Sequence, residues 1–207
     1  CRVIFLPTFP GDDSYKSILK ETTCESAPYV LKNLGYSTHA VHNNEANFYG
    51  RRTIFPNLGF DTFTSEEYMA GENLKNPLGW VKDSVLTDEI VKCLDSTEEP
   101  DYVYTISVQG HGDYPDEPIL EDPQITVSGA PTEELNCKWE YYVNEIHEMD
   151  NFVKDLVDTL ADYPEDVVLV MYGDHLPTMG LTVEDLKNKY LFQTEYVIWD
   201  NMGLQKK

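Results

Sequence analysis

The sequence has 207 residues, and 15 Lys plus Arg set against 37 Asp plus Glu give a formal net charge of −22. With 41% hydrophobic residues and 14 Tyr it carries too much packing material for a disordered acidic tail, and its charge excludes nucleic acid as a partner, since phosphate-backbone affinity comes from clustered Lys and Arg. No apolar run approaches the roughly 18 residues of a membrane span, and one domain over 1–207 accounts for the length.

The chain opens on Cys1 and runs at once into Val3-Ile4-Phe5-Leu6, with neither a basic leader nor a cleavage site. The expectation is a piece of a longer protein. Thr22 or Thr23 is placed to cap a helix with Glu25 and Pro28 in its first turn, which Gly35 stops. Tyr36 to Val41 then reads as a strand, Asp83 to Leu94 as a helix, and Tyr102 to Val108 as a β-branched strand. From about Thr132 to Leu160 apolar residues recur at steps of one, three or four, from Leu135 and Trp139 through Phe152 and Leu156 to Leu160, and Pro164 ends that helix. Val167 to Tyr172 suits a strand buried on both faces, and Glu195 to Trp199 suits another. Strands separated by helix-length crossovers predict an α/β fold with a mostly parallel sheet sandwiched by helices. The Pro-rich stretch from Gly112 to Pro131 reads as a surface loop, and the four cysteines, at 1, 24, 93 and 137, read as buried thiols whose pairing stays open.

In parallel sheets ligands bind beyond the carboxyl ends of the strands. Three predicted strands end there in chemically useful residues: His42-Asn43-Asn44, Gln109-Gly110-His111-Gly112-Asp113, and Gly173-Asp174-His175. Carboxylate oxygen beside neutral imidazole suits a divalent metal, so Asp174 and His175 are candidate ligands; alternatively Asp174 caps a following helix. His111, between two glycines, is a candidate ligand, general acid–base or hydrogen-bond donor to a substrate oxygen. His39 lies inside its strand and reads as structural, and His147, mid-helix, as solvated. Two of the three arginines, Arg51 and Arg52, follow His42 closely and form either an anion clamp or surface ion pairs.

Phe48-Tyr49-Gly50-Arg51, Leu58-Gly59-Phe60-Asp61-Thr62-Phe63, Gln109-Gly110-His111 and Met171-Tyr172-Gly173-Asp174-His175 together resemble the extracellular catalytic domain of lipoteichoic acid synthase-like phosphoglycerol transferases, within the alkaline phosphatase and sulfatase superfamily. The resemblance runs from about Ala27 to Trp199. It implies an alkaline phosphatase/sulfatase-like fold, truncated at its N-terminus, in which Asp174 and His175 hold the metal, usually manganese, with magnesium or zinc as alternatives. It further implies that His111 meets the substrate phosphate and that His42, Tyr49 and Arg51 hold glycerol phosphate. Tyr49 stands for the commoner Trp, Gly50 for Asn, and Arg52 for a frequent acid. The family's first-strand acidic ligand and nucleophilic Thr are expected upstream of Cys1; Thr8, Thr22 and Thr23 are not in the nucleophile's context.

What the resemblance implies for the parent protein is a metal-dependent transfer of glycerol phosphate from a phosphatidylglycerol-type lipid to a polymer or glycolipid. It would act at the outer face of a Gram-positive-type cell membrane, tethered through an N-terminal region. A sulfatase or phosphoethanolamine transferase on the same scaffold, or a non-catalytic module for anionic glycans, are the alternatives. The 207 residues by themselves are expected to be inactive and to bind metal weakly.

Overall fold

The computed structural model describes residues 17–69 and 74–204. Cys1, the Val3–Leu6 run and Thr8 lie outside them. The chain divides into two compact units, Cys1–Gln109 and Gly110–Lys207.

In the first unit three strands, β1 (Ser37–His42), β2 (Thr62–Ser65) and β3 (Asp101–Ile106), form a parallel sheet in the order β2-β1-β3. The central strand is buried from Thr38 to His42. Helix α1 (Ala27–Lys32) precedes β1, α2 (Arg51–Asn57) connects β1 to β2, and α3 (Leu86–Leu94) leads into β3. This is the expected mixed α/β architecture, a parallel sheet flanked by helices. Phe55 of α2 and Phe60 pack with Ala40, Phe63, Tyr102, Tyr104 and Ile106 into an aromatic core, with ring centroids 4.7 Å apart for Phe55–Phe63 and 5.4 Å for Phe55–Phe60. Leu86, Ile90 and Cys93 give α3 its buried face, and the helix packs on β1 and β3.

Three details differ from the sequence reading, the first being helix α2, which was not expected. The cap of α1 is Ser26 rather than Thr22 or Thr23, because Pro28 sits in the first turn and fixes the start at Ala27. The short strand β2 was not expected; of its four residues only Phe63 is apolar.

The second unit is built on the 29-residue helix α4 (Glu133–Ala161), close to the span its apolar spacing predicts, with Thr132 as its N-cap. Phe152, Leu156 and Leu160 are buried as expected, but toward its start the buried positions are Cys137, Tyr141, Asn144 and Glu145. The reason is a polar row. Asn136 accepts from the Ala130 amide, Glu140 from Val127, and Asn144 both accepts from and donates to Ile125. Three side chains four residues apart thus satisfy the backbone of the Pro-rich loop and hold it along the helix.

Strands β4 (Val168–Tyr172) and β5 (Tyr196–Asp200) pair antiparallel, against the expected parallel order. Between them runs a loop with one short 3₁₀ turn, Val183–Asp185, and no crossover helix, so the chain returns in the opposite direction. Burial of β4 on both faces is also corrected: Val168, Val170 and Tyr172 are exposed, because among the described residues β4 pairs with β5 alone.

Candidate functional site

His42 ends β1 at the carboxyl edge of the parallel sheet and is buried. Its Nδ1 donates to the Ile106 carbonyl at 2.8 Å, and since a carbonyl can only accept, the proton is on Nδ1. The Nε2 lone pair then faces Arg51 Nη1, which donates to it. Arg51 opens α2, and its guanidinium lies over the rings of Phe48 and Tyr49, at 5.2 and 5.7 Å from their centroids. A tight reversal makes this possible: Tyr49 has φ 54 and Gly50 φ 72, two consecutive left-handed residues. For a tyrosine that backbone costs about 1–2 kcal/mol, and strain of this kind gathers where a site over-determines the chain. Phe48, Tyr49 and Gly50, with Asn47 and Lys20, line an open hollow of about 440 Å³.

Arg52 is engaged differently. Exposed itself, it is the smallest of several influences on Glu67: burial pushes that carboxyl up, but the Ser65 side chain, backbone amides including that of Ala46 and, last, the Arg52 charge leave it below its ordinary range. Arg51 is thus stacked and hydrogen-bonded, whereas Arg52 acts on Glu67 through its charge alone.

Beneath His42 lies a buried polar network that the sequence reading missed. Asp83, fully buried, accepts from Asn43 Nδ2 at 2.8 Å and from the Ser107 hydroxyl at 2.7 Å. The Asp83 amide donates to Gln109 Oε1 at 2.7 Å, and the Val108 amide to Asn43 Oδ1 at 3.1 Å. Burial raises the Asp83 pKa, and these hydrogen bonds oppose the shift without cancelling it. The network ties the residues after β1 to those after β3. Its one sequence signal was a pair of asparagines directly after an apolar strand.

His39, read as structural, is buried and bridges three strands, with Nδ1 at 2.8 Å from Thr62 Oγ1 and Nε2 at 2.9 Å from Asp101 Oδ1. His147 is exposed on α4, as expected. Cys93 and Cys137 are buried free thiols, and Cys24 is half-buried.

In the second unit His111, Asp174 and His175 come together. The rings of His111 and His175 stand 6.2 Å apart, edge to face. Their loops approach closely at Gly112, where a Cβ would lie 3.0 Å from Thr178 Oγ1. Asp174 Oδ1 accepts from the His175 amide at 2.8 Å, and among the described residues no α-helix follows for it to cap. His175 Nδ1 donates to the Leu176 carbonyl at 2.9 Å, which leaves the Nε2 lone pair 3.7 Å from Asp174 Oδ2. A carboxylate oxygen beside an imidazole whose other nitrogen is fixed by a carbonyl is a donor pair that fits a divalent metal. Among the described residues, no group of three or more His, Cys, Asp or Glu could complete such a site.

The sulfatase family profile matches residues 8–207. The chain belongs to the sulfatase family. A putative cyclic beta-1,2-glucan modification protein of Rhizobium meliloti (strain 1021) is 27% identical to this sulfatase-family chain over 218 residues, which cover 98% of it and 33% of the relative. The phosphoglycerol transferase GacH of Streptococcus pyogenes, solved in complex with sn-glycerol-1-phosphate, has a TM-score of 0.67 at 25% identity over 84% of this chain and 45% of its own. The lipoteichoic acid synthase LtaP of Listeria monocytogenes has a TM-score of 0.66 at 22% identity over 91% and 48%. The sulfatase-family chain thus spans about a third of the curated relative and about half of the solved chains. Its likeness to lipoteichoic acid synthase-like proteins of the alkaline phosphatase/sulfatase superfamily holds in sequence and fold alike. No helix among the described residues is long and apolar enough to cross a membrane.

Proposed function

We propose that the protein containing this chain is a metal-dependent phosphotransferase. It moves glycerol phosphate from a phosphatidylglycerol-type lipid to a growing polymer or glycolipid, at the outer face of a cell membrane to which a region outside these residues tethers it. The observation that carries this reading is Arg51, held by His42 and stacked on two aromatic rings beside an open hollow. Such an arrangement suits a small anion with a few carbon atoms: the guanidinium takes the charge, and the ring faces cover the carbons. The complex of GacH with sn-glycerol-1-phosphate supports the same substrate class.

In this reading Arg51 and Tyr49 contact the substrate, while His42 keeps the guanidinium in place through Nε2. His111 donates a hydrogen bond to a phosphate oxygen and so stabilises charge on the transferring group. Asp174 and His175 would hold the divalent ion, manganese foremost, with magnesium or zinc able to take its place. When bound, the ion polarises phosphate oxygens as a Lewis acid. The nucleophilic Thr is assigned to a part of the protein outside the 207 residues, so the chain alone turns nothing over.

The full-length protein tests this on phosphatidylglycerol vesicles, with release of diacylglycerol as the readout. Arg51→Ala is expected to lower kcat/KM by about tenfold to a hundredfold, the loss of one charge-assisted contact, and Arg52→Ala to change it little. Equal losses would remove the clamp from the account, and binding of glycerol phosphate without turnover would favour a non-catalytic module.

A further inference from the structure

Lys20 belongs to no motif, yet the fold delivers it to the hollow. Leu19 is buried, and its carbonyl accepts from Asn57 Nδ2 of α2 at 2.8 Å, so the short turn Ile18–Lys20 is fastened to the helix that Arg51 opens. The stem of Lys20 then crosses Gly50. A Cβ at position 50 would stand 3.2 Å from Lys20 Cε, 3.9 Å from its Nζ and 3.7 Å from Ile54 Cδ1. Gly50 is left-handed, at φ 72, but asparagine also adopts that conformation with little strain. The backbone favours glycine here, and asparagine is the substitution it tolerates best. What a side chain at position 50 would disturb is the place of Lys20. The ammonium makes no ion pair among the described residues.

We infer that Lys20 is the cation that lines the hollow beside Arg51, that it determines specificity for an anionic head group, and that Gly50 is the gap that admits it. The inference rests on the reading of the hollow as the glycerol-phosphate site and sharpens its substrate class. Arg51, fixed by His42, takes a defined pair of oxygens. Lys20, a flexible point charge at the rim, adds attraction that any phosphate oxygen can use and a neutral polyol cannot. The two together select small phosphorylated polyols over the uncharged polyol of the same shape.

The test is calorimetric titration of sn-glycerol-1-phosphate, and separately of neutral glycerol, into the full-length protein. Wild type, Lys20→Met, Gly50→Asn, the double variant and Arg51→Ala are compared, with thermal melts confirming that each is folded. Lys20→Met is expected to weaken the phosphate ligand about threefold to tenfold and to flatten its salt dependence, leaving glycerol unchanged. Gly50→Asn should cost a similar factor alone and almost nothing in the Lys20→Met background, because both act through one ammonium. Full affinity in Lys20→Met, with Arg51→Ala still defective, would overturn the role of Lys20 and leave the site reading intact. Affinity unchanged in both Lys20→Met and Arg51→Ala would overturn the site reading itself. A full loss from Gly50→Asn in the Lys20→Met background would overturn the link between the two residues. Should Gly50→Asn not fold, Lys20→Met decides alone.

Discussion

The two clusters that carry the proposed chemistry are built in opposite ways. In the first unit His42 is 1% exposed, both ring nitrogens are engaged, and a fully buried carboxylate anchors the loops beneath it. In the second, the side chains of Asp174 and His175 are 81% and 55% exposed, and their recorded bonds are to their own or adjacent residues. The first cluster is preorganised by folding: its cation has one orientation, fixed by tautomer, strand end and ring faces. The second is a donor pair with a fixed tautomer and room for further ligands. The first cluster therefore presents its cation without help from the second unit, whereas metal binding at Asp174 and His175 needs donors that the described residues do not supply.

The largest effect that would sharpen this contrast comes from the core under the first cluster. Phe55→Ala removes the ring on which Phe60, Phe63 and Tyr104 converge, and is expected to cost about 3–5 kcal/mol of unfolding free energy. Urea denaturation of the full-length protein measures it, and a cost below 1 kcal/mol would mean that the aromatic cluster does not set the site. Next in size, Asp174→Asn should weaken manganese or zinc binding at least tenfold, on the scale of losses in a metal's supporting ligands, while leaving calorimetric binding of sn-glycerol-1-phosphate at Arg51 within twofold in metal-free buffer. If both fall together, the two clusters are not separable in the way their burial indicates.

Asp83 gives a prediction with a pH sign. Burial raises its folded pKa above the ordinary 3.8, so the folded state holds this proton more tightly than the unfolded state does. The stability it contributes is fully present below pH 3.8 and declines as pH rises through the raised folded value. Asp83→Asn removes that dependence at a cost of about 1–2 kcal/mol from the disturbed Asn43 and Ser107 bonds. The wild type's margin over the variant should therefore be widest in acid and narrow toward neutrality, as read from urea midpoints along the pH series. A margin that widens with pH would contradict the sign. The smallest effect is Gly112→Ala: its Cβ meets Thr178 Oγ1 at 3.0 Å, a shift worth about 1 kcal/mol. It should alter the chemical shifts of His111 and His175 together, and a change at His111 alone would separate the loops.

Much of the first unit was legible because its signals are local. Apolar runs ending in polar residues marked β1 and β3, and Arg51 stood close to His42 along the chain, although the helix α2 that it opens was not expected. The position of Arg51 over Phe48 and Tyr49 followed from no periodicity, since it depends on two successive left-handed residues. Asp83 and Lys20 were invisible for another reason: each reaches the site from a distant stretch of chain, and only tertiary packing brings it there. In the second unit the helix was read to within a residue at its start, but its buried face was read from apolar spacing, and the polar row of Asn136, Glu140 and Asn144 had turned toward the loop. The strand Val168–Tyr172 was misread as buried on both faces because its composition records what such a strand is fit to pack against, while its exposure depends on which neighbours pair with it.

The central claim is that Arg51 holds the phosphate of the substrate. Phosphorus NMR of sn-glycerol-1-phosphate titrated into the full-length protein in metal-free buffer tests it most directly. The account predicts a shifted and broadened phosphorus line in the wild type, the same line in Asp174→Asn, and the line of the free ligand in Arg51→Ala. A bound phosphorus line that persists in Arg51→Ala would contradict it.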